Sequence, residues 1–140
     1  MIIVDTGFWI ALANRQDQHH HQATQILDTI QEPLITTWCV VTETCYLLLT
    51  RISPISQELF LDNIVTGGFE LFDFQALHIR RMKQLVAQYS NFPMDLADAS
   101  LVTLAEDLGH GNILTSDCRD FSIYRWNETN QFNNLFLDYP

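Results

Sequence analysis

Asp5, Glu43, Asp98 and Asp117 each stand at the edge of an apolar segment: Ile2-Ile3-Val4-Asp5, Val40-Val41-Thr42-Glu43, Leu96-Ala97-Asp98-Ala99 and Ile113-Leu114-Thr115-Ser116-Asp117. An acid at such a junction is costly to bury without a partner. Four of them, spread over the chain, point to a fold that collects negative charge in one place. The partner that suits such a set is a hard divalent cation, which takes oxygen ligands. The chemistry expected is that of a metal-dependent enzyme.

Each acid also has a plain structural explanation. Asp5 is placed to cap a helix opening at Thr6, and Asp117 follows a serine in a sequence with turn character. Asp95 and Asp98 stand three apart at a helix start, where Asp95 serves as N-cap and both suit the helix dipole. Asp98 is flanked by Ala97, Ala99 and Leu101, a packed setting that an unpaired acid avoids. Glu43 lies among Val40, Val41, Cys45, Tyr46, Leu47 and Leu48, where polar positions are so sparse that an inward-facing, partnered Glu fits better than a solvated one.

The elements that must position these acids alternate. Strands are expected at 2–4, 34–36, 69–74 and 112–115, with two further short ones at 121–126 and 135–137. Helices are expected over 8–13, 22–31, 38–52 with Thr37 as N-cap, 59–65 ended by Gly67-Gly68, 76–89, and 95–108 ended by Gly109. The segment 38–52 is apolar enough to be buried almost all round. Strands alternating with helices argue for an α/β fold with a central, mainly parallel sheet flanked by helices. In such sheets ligands bind outside the carboxyl ends of the strands. Asp5 and Asp117, both following short apolar strands, are expected at that one edge.

Size and composition fit this reading. The 140 residues are 47% hydrophobic and 17% charged, as in a compact globular chain able to bury a core. No apolar run nears the roughly 18 residues that span a bilayer, and the N-terminus lacks the basic region of a signal peptide. Cys39, Cys45 and Cys118 have no metal-ligand spacing; six positions apart on one helix, Cys39 and Cys45 do not face each other, so free thiols in a reducing cytoplasm are expected. Seven Lys plus Arg against seventeen Asp plus Glu give a net charge of −10. A nucleic-acid substrate therefore has to be held by metal, by local positive spots or by a partner, since few cations are present to displace counterions. A basic partner suits so acidic a chain.

In order and spacing, these motifs resemble the PIN-domain ribonucleases and, within them, the VapC-type toxins of type II toxin–antitoxin systems. Ile3-Val4-Asp5-Thr6, Val41-Thr42-Glu43, Leu96-Ala97-Asp98-Ala99-Ser100-Leu101 and Leu114-Thr115-Ser116-Asp117 with Asp120-Phe121 carry the resemblance, with His20 and Ala23 matching the helix start after the first motif. The resemblance implies a PIN-like three-layer fold, one PIN domain over residues 1–140, and endonucleolytic hydrolysis of RNA dependent on Mg2+ or Mn2+. It implies Asp5, Glu43, Asp98 and Asp117 as catalytic residues, with Asp5, Asp98 and Asp117 holding metal. Asp95, Thr6 and Thr115 are accessory, the two threonines orienting carboxylates, and Asp120 belongs to the supporting loop. An antitoxin protein, RNA and a second copy in a homodimer are the implied partners, in the cytoplasm, without a membrane.

Two competing readings differ in chemistry. A PIN-fold binding module that does not cut is disfavoured by acids at all four motifs. A haloacid-dehalogenase-like phosphatase needs a second Asp two residues after the first, and that position is Gly7. Adjacent His19, His20 and His21 cannot share a helix face, so a zinc site is disfavoured and a solvated loop is expected there.

Overall fold

The computed structural model describes residues 1–137; the last three positions of the domain expected over 1–140 lie outside the described residues. In chain order the elements are β1 (Ile2–Val4), α1 (Thr6–Ala13), α2 (His20–Thr29), β2 (Leu34–Thr37), α3 (Trp38–Arg51), α4 (Pro54–Val65), β3 (Glu70–Phe72), α5 (Ala76–Gln88), α6 (Leu96–Leu108), β4 (Asn112–Leu114), α7 (Cys118–Ile123), β5 (Arg125–Trp126), β6 (Asn130–Gln131) and β7 (Asn133–Asn134).

Five strands form one sheet in the order β3-β2-β1-β4-β7, and every pairing in it is parallel. Ile2, Ile3, Val4, Ile113 and Leu114 are buried, as strands covered on both faces require. The helices pack in two groups, α1 to α4 on one another and α5 on α6, with α6 also lying against β1 and β2. From β1 the chain winds outward through β2 and β3, then returns to place β4 on the other side of β1. The carboxyl ends of β1 and β4 therefore flank the point where strand order reverses, the crevice that binds ligands in open α/β sheets.

Local signals fix the element ends. Thr37 caps α3 by accepting from the Val40 amide, and Asp95 caps α6 by accepting from Asp98. Gly109 ends α6 in the left-handed conformation at φ 76°, which costs glycine little.

Several expectations are corrected. Residues 118–123 are helical, because Asp117 accepts from the Asp120 amide and starts a turn, so only Arg125–Trp126 of the expected 121–126 strand is a strand. The last sheet strand is Asn133–Asn134, not 135–137: the Asn133 and Leu135 amides donate to Gly111 and Ile113 carbonyls, and the Asn134 side chain donates to the Thr115 carbonyl. Helix α4 begins at Pro54, capped by Ser53, rather than at 59 as expected. Helix α3 buries one face, Val40, Val41, Thr44 and Leu48, and leaves Trp38 (53% exposed), Tyr46 and Leu49 open. The histidines are not a solvated loop. His20 opens α2 and its Nδ1 lies 2.7 Å from the Ala11 carbonyl, while His19 packs edge-on against Phe136. All three cysteines are free, as expected.

Candidate active site

Asp5 leaves β1 and becomes the N-cap of α1, its Oδ1 accepting from the Thr6 amide at 2.7 Å. Its other oxygen accepts from the Thr115 hydroxyl at 2.7 Å, a bond spanning the crevice between β1 and the end of β4. The carboxylate is 7% exposed and both oxygens are held. Glu43 reaches the same place from the second turn of α3, and its Oε2 accepts from the Thr6 hydroxyl at 3.2 Å. Asp98 lies in the first turn of α6, with Oδ2 accepting from the Tyr124 hydroxyl at 2.9 Å. Asp117 follows β4 and caps α7, its amide donating to the Thr115 hydroxyl at 3.0 Å.

Asp5, Thr6, Glu43, Asp95, Asp98 and Asp117 all line one cleft of about 440 Å3. Thr115 is fully buried beneath it and acts through Asp5 and Asp117. Asp95 is exposed at the rim, with one oxygen engaged by its own helix.

One contributor was misplaced by the sequence reading and another escaped it. Asp120 is on helix α7 rather than in a supporting loop, and it lines the cleft. One oxygen each from Asp98, Asp117 and Asp120 lie within 4.8 Å of one another, a spacing that no trio containing Asp5 meets among the described residues. The signal was present: Asp117 and Asp120 repeat the three-residue spacing of Asp95 and Asp98. Tyr124 had no such signal. It is fully buried among Tyr89, Phe92 and Phe121, and only the fold brings its hydroxyl to Asp98.

The electrostatics follow from burial and crowding. Burial is the largest influence on Asp5 and lifts its carboxyl to about 6 against the pull of the Thr115 and Thr6 hydrogen bonds, with Glu43 and Asp117 adding repulsion. Asp98 is pushed up to about 8 by burial and then by Asp5 and Asp95, opposed by the Tyr124 hydroxyl. Glu43 rises through burial and Asp95, and Asp120 rises to about 6 through burial and its contact with Asp117. These are oxygen donors that repel one another and resist ionisation until a cation joins them. A hard divalent ion fits that donor set, and fits it better than a soft metal that prefers sulfur or imidazole.

Gly7 fits closely under this roof. A Cβ there would collide with Ser116 Oγ, so a side chain at position 7 requires Ser116 to turn away, and the second Asp that the phosphatase alternative needs is absent from the sequence.

The PIN domain family model matches residues 2–126, which includes all four motifs. The chain belongs to the PIN-domain family. A relative of this PIN domain, Ribonuclease VapC26 of Mycobacterium tuberculosis, is 29% identical over 124 residues, 89% of this chain and 92% of its own. In fold, this PIN domain is similar to VapC20 of Mycobacterium tuberculosis, a Sarcin-Ricin loop cleaving toxin, with a TM-score of 0.75 at 20% identity, covering 81% of this chain and 87% of that one. It is also similar to the DNA-bound VapBC of Salmonella typhimurium, with a TM-score of 0.66 at 14% identity, covering 96% and 98%. No helix among the described residues is long and apolar enough to cross a membrane.

Proposed function

We propose that this PIN domain is a divalent-metal-dependent endoribonuclease, the toxin of a toxin–antitoxin pair, using Mg2+ or Mn2+. The observation that carries this reading is the convergence, at one sheet edge, of acids from the start of α1, from α3, and from the starts of α6 and α7. The relative named as a ribonuclease and the two toxin folds support the substrate class and the antitoxin. Residues 1–140 act as one domain, in the cytoplasm, as a homodimer.

Asp5, Asp98 and Asp117 hold the metal, with Asp120 a further ligand beside Asp98 and Asp117, and Asp95 contributing from the rim. When bound, the cation offsets the charge building on the phosphodiester and acidifies the attacking water. Glu43, held by Thr6 and itself raised by burial, would accept the proton of the attacking water as the new P–O bond forms, while the old P–O bond breaks and the departing alkoxide takes a proton from solvent. Thr115 keeps Asp5 aimed across the crevice, and Tyr124 keeps Asp98 in place. The test is RNA cleavage by the purified protein with Mg2+ or Mn2+ present and then chelated. Asp5→Asn and Asp98→Asn should each lower the rate by more than about a hundredfold with circular dichroism unchanged. Cleavage at the wild-type rate by either variant would overturn the assignment. Expression of the lone protein should arrest growth and degrade RNA; a harmless protein would remove the toxin reading while leaving the nuclease.

A further inference from the structure

Seven residues lining the cleft are Asp or Glu, and its single Lys or Arg is Arg51. Along α3 the cleft wall runs Glu43, Leu47, Arg51 at four-residue spacing, so one helix face presents acid, apolar side chain and cation in succession. Ile10 stands one turn beyond Thr6 on α1, and with Leu47 it gives the cleft an apolar strip beyond its acids. Arg51 is about two turns, roughly 12 Å, along the helix from Glu43. Helical side chains lean toward the N-terminus, which from Arg51 is the direction of Leu47 and Glu43, and all three line the same cleft.

Three other cations of this acidic chain are engaged elsewhere, and Arg15, Arg80 and Lys83 do not line the cleft. Arg81 is bound by Glu106, Arg125 donates to the carbonyls of Ser122, Ile123 and Tyr124, and Arg119 lies over the Phe92 ring at 5.2 Å. Arg51 is exposed and, among the described residues, makes no hydrogen bond or ion pair, despite the seven acids of its own cleft. The C-terminal dipole of α3 accounts for a cation in the last turn, but not for one on the wall of the cleft. A free guanidinium suits a phosphate, which it binds through two parallel hydrogen bonds.

We propose that Arg51 is a substrate-positioning residue: it clamps a backbone phosphate flanking the bond that is cut, while the intervening nucleoside lies on Ile10 and Leu47. This rests on the nuclease reading and adds how a chain of charge −10 grips a polyanion. The strand enters over the cation and the apolar strip and delivers the next phosphate to the acids.

The test uses the full chain and a short, fluorescent, single-stranded RNA pool of randomised sequence. Cleavage is followed with Mn2+, and binding is followed on the Asp98→Asn background over a series of salt concentrations. Arg51→Gln should raise KM and Kd about tenfold with kcat unchanged, and lower the salt slope by about one counterion. Arg51→Lys should restore the salt slope and only part of the affinity, because an ammonium cannot make the paired contact. Arg80→Gln, an equal change of charge on the exposed face of α5, is the control and should alter neither. If Arg51→Gln behaves as Arg80→Gln does, or shifts only the melting temperature, the clamp is wrong and the nuclease stands. Arg51→Lys matching wild type in Kd also overturns the paired contact. Wild-type protein that neither binds nor cuts the pool overturns the nuclease reading and the clamp together.

Discussion

Asp98 and Glu106 lie on the same helix, about two turns apart, in opposite surroundings. Glu106 accepts from Nε and Nη2 of Arg81, both at 2.8 Å, and from the Asn127 amide, while its neighbour Asp107 lies 3.4 Å from His78. Asp98 has one hydrogen-bond donor from another side chain, the Tyr124 hydroxyl, and three further acids push on it. At one end of α6 the protein neutralises its own charge, and that end is scaffold. At the other it leaves like charges together, and a missing positive partner marks where something else must bind. A carboxylate cluster is informative to the degree that the chain has cations and has placed them elsewhere.

That contrast can be attacked at either end. The largest effect on stability should come from pH in chelator. Asp5 and Asp98 are raised from 3.8 to about 6 and about 8, so the folded chain keeps protons that the unfolded chain has lost. Their contribution is therefore greatest below about pH 4 and falls as pH rises through about 6 and then about 8, by roughly 3 kcal/mol for Asp5 alone. Denaturant unfolding across that range reads it. Asp98→Asn should flatten the upper part of the decline, and Mn2+ should reverse it. A wild-type protein whose stability climbs steadily through the window without metal would refute the crowded-acid account.

At the scaffold end, Arg81→Ala strands a half-buried Glu106 and should cost about 2 kcal/mol while cleavage continues at the wild-type rate. Lost cleavage in a folded protein would mean the two ends of α6 are coupled. The smallest change is Tyr124→Phe, which keeps the ring packed and removes one donor. We expect about 1 kcal/mol of stability lost and metal half-saturation raised about tenfold in a titration followed by cleavage. An unaltered titration would make Tyr124 a packing residue alone.

Much of this arrangement was legible in the residues. Period and punctuation gave β1, α3 with its Thr37 cap, α6 between Asp95 and Gly109, and the sheet edge that carries Asp5 and Asp117. The chain after Asp117 was not legible, because Phe121, Tyr124 and Trp126 have the aromatic character of a strand. Only the Asp117 cap reveals that Phe121 and Tyr124 are one helical turn apart, their rings edge-on at 5.3 Å. Missing that helix left Asp120 in a supporting loop and hid Tyr124. Strand β7 was illegible for the opposite reason. Asparagine is depleted in strands, and Asn133 and Asn134 are held there by side-chain bonds to Asn112 and Thr115 that no propensity records. Trp38 was expected in a core and is open to solvent. Hydrophobicity alone does not say which face of a helix the rest of the chain will cover.

Asp5, Asp95 and Asp117 each hold the first amides of the helix they precede. Those bonds restrict the rotamers of the same side chains that face the cleft. Ordering a floppy side chain costs up to about 2 kcal/mol of conformational entropy, and here much of that loss is taken when the helices form. Cation capture should then leave the backbone nearly unchanged, with little heat-capacity change and a rate set by how fast the ion sheds water. The same economy has a drawback: an alanine at any of the three frays a helix as it removes a proposed ligand, so only amide replacements separate the two roles.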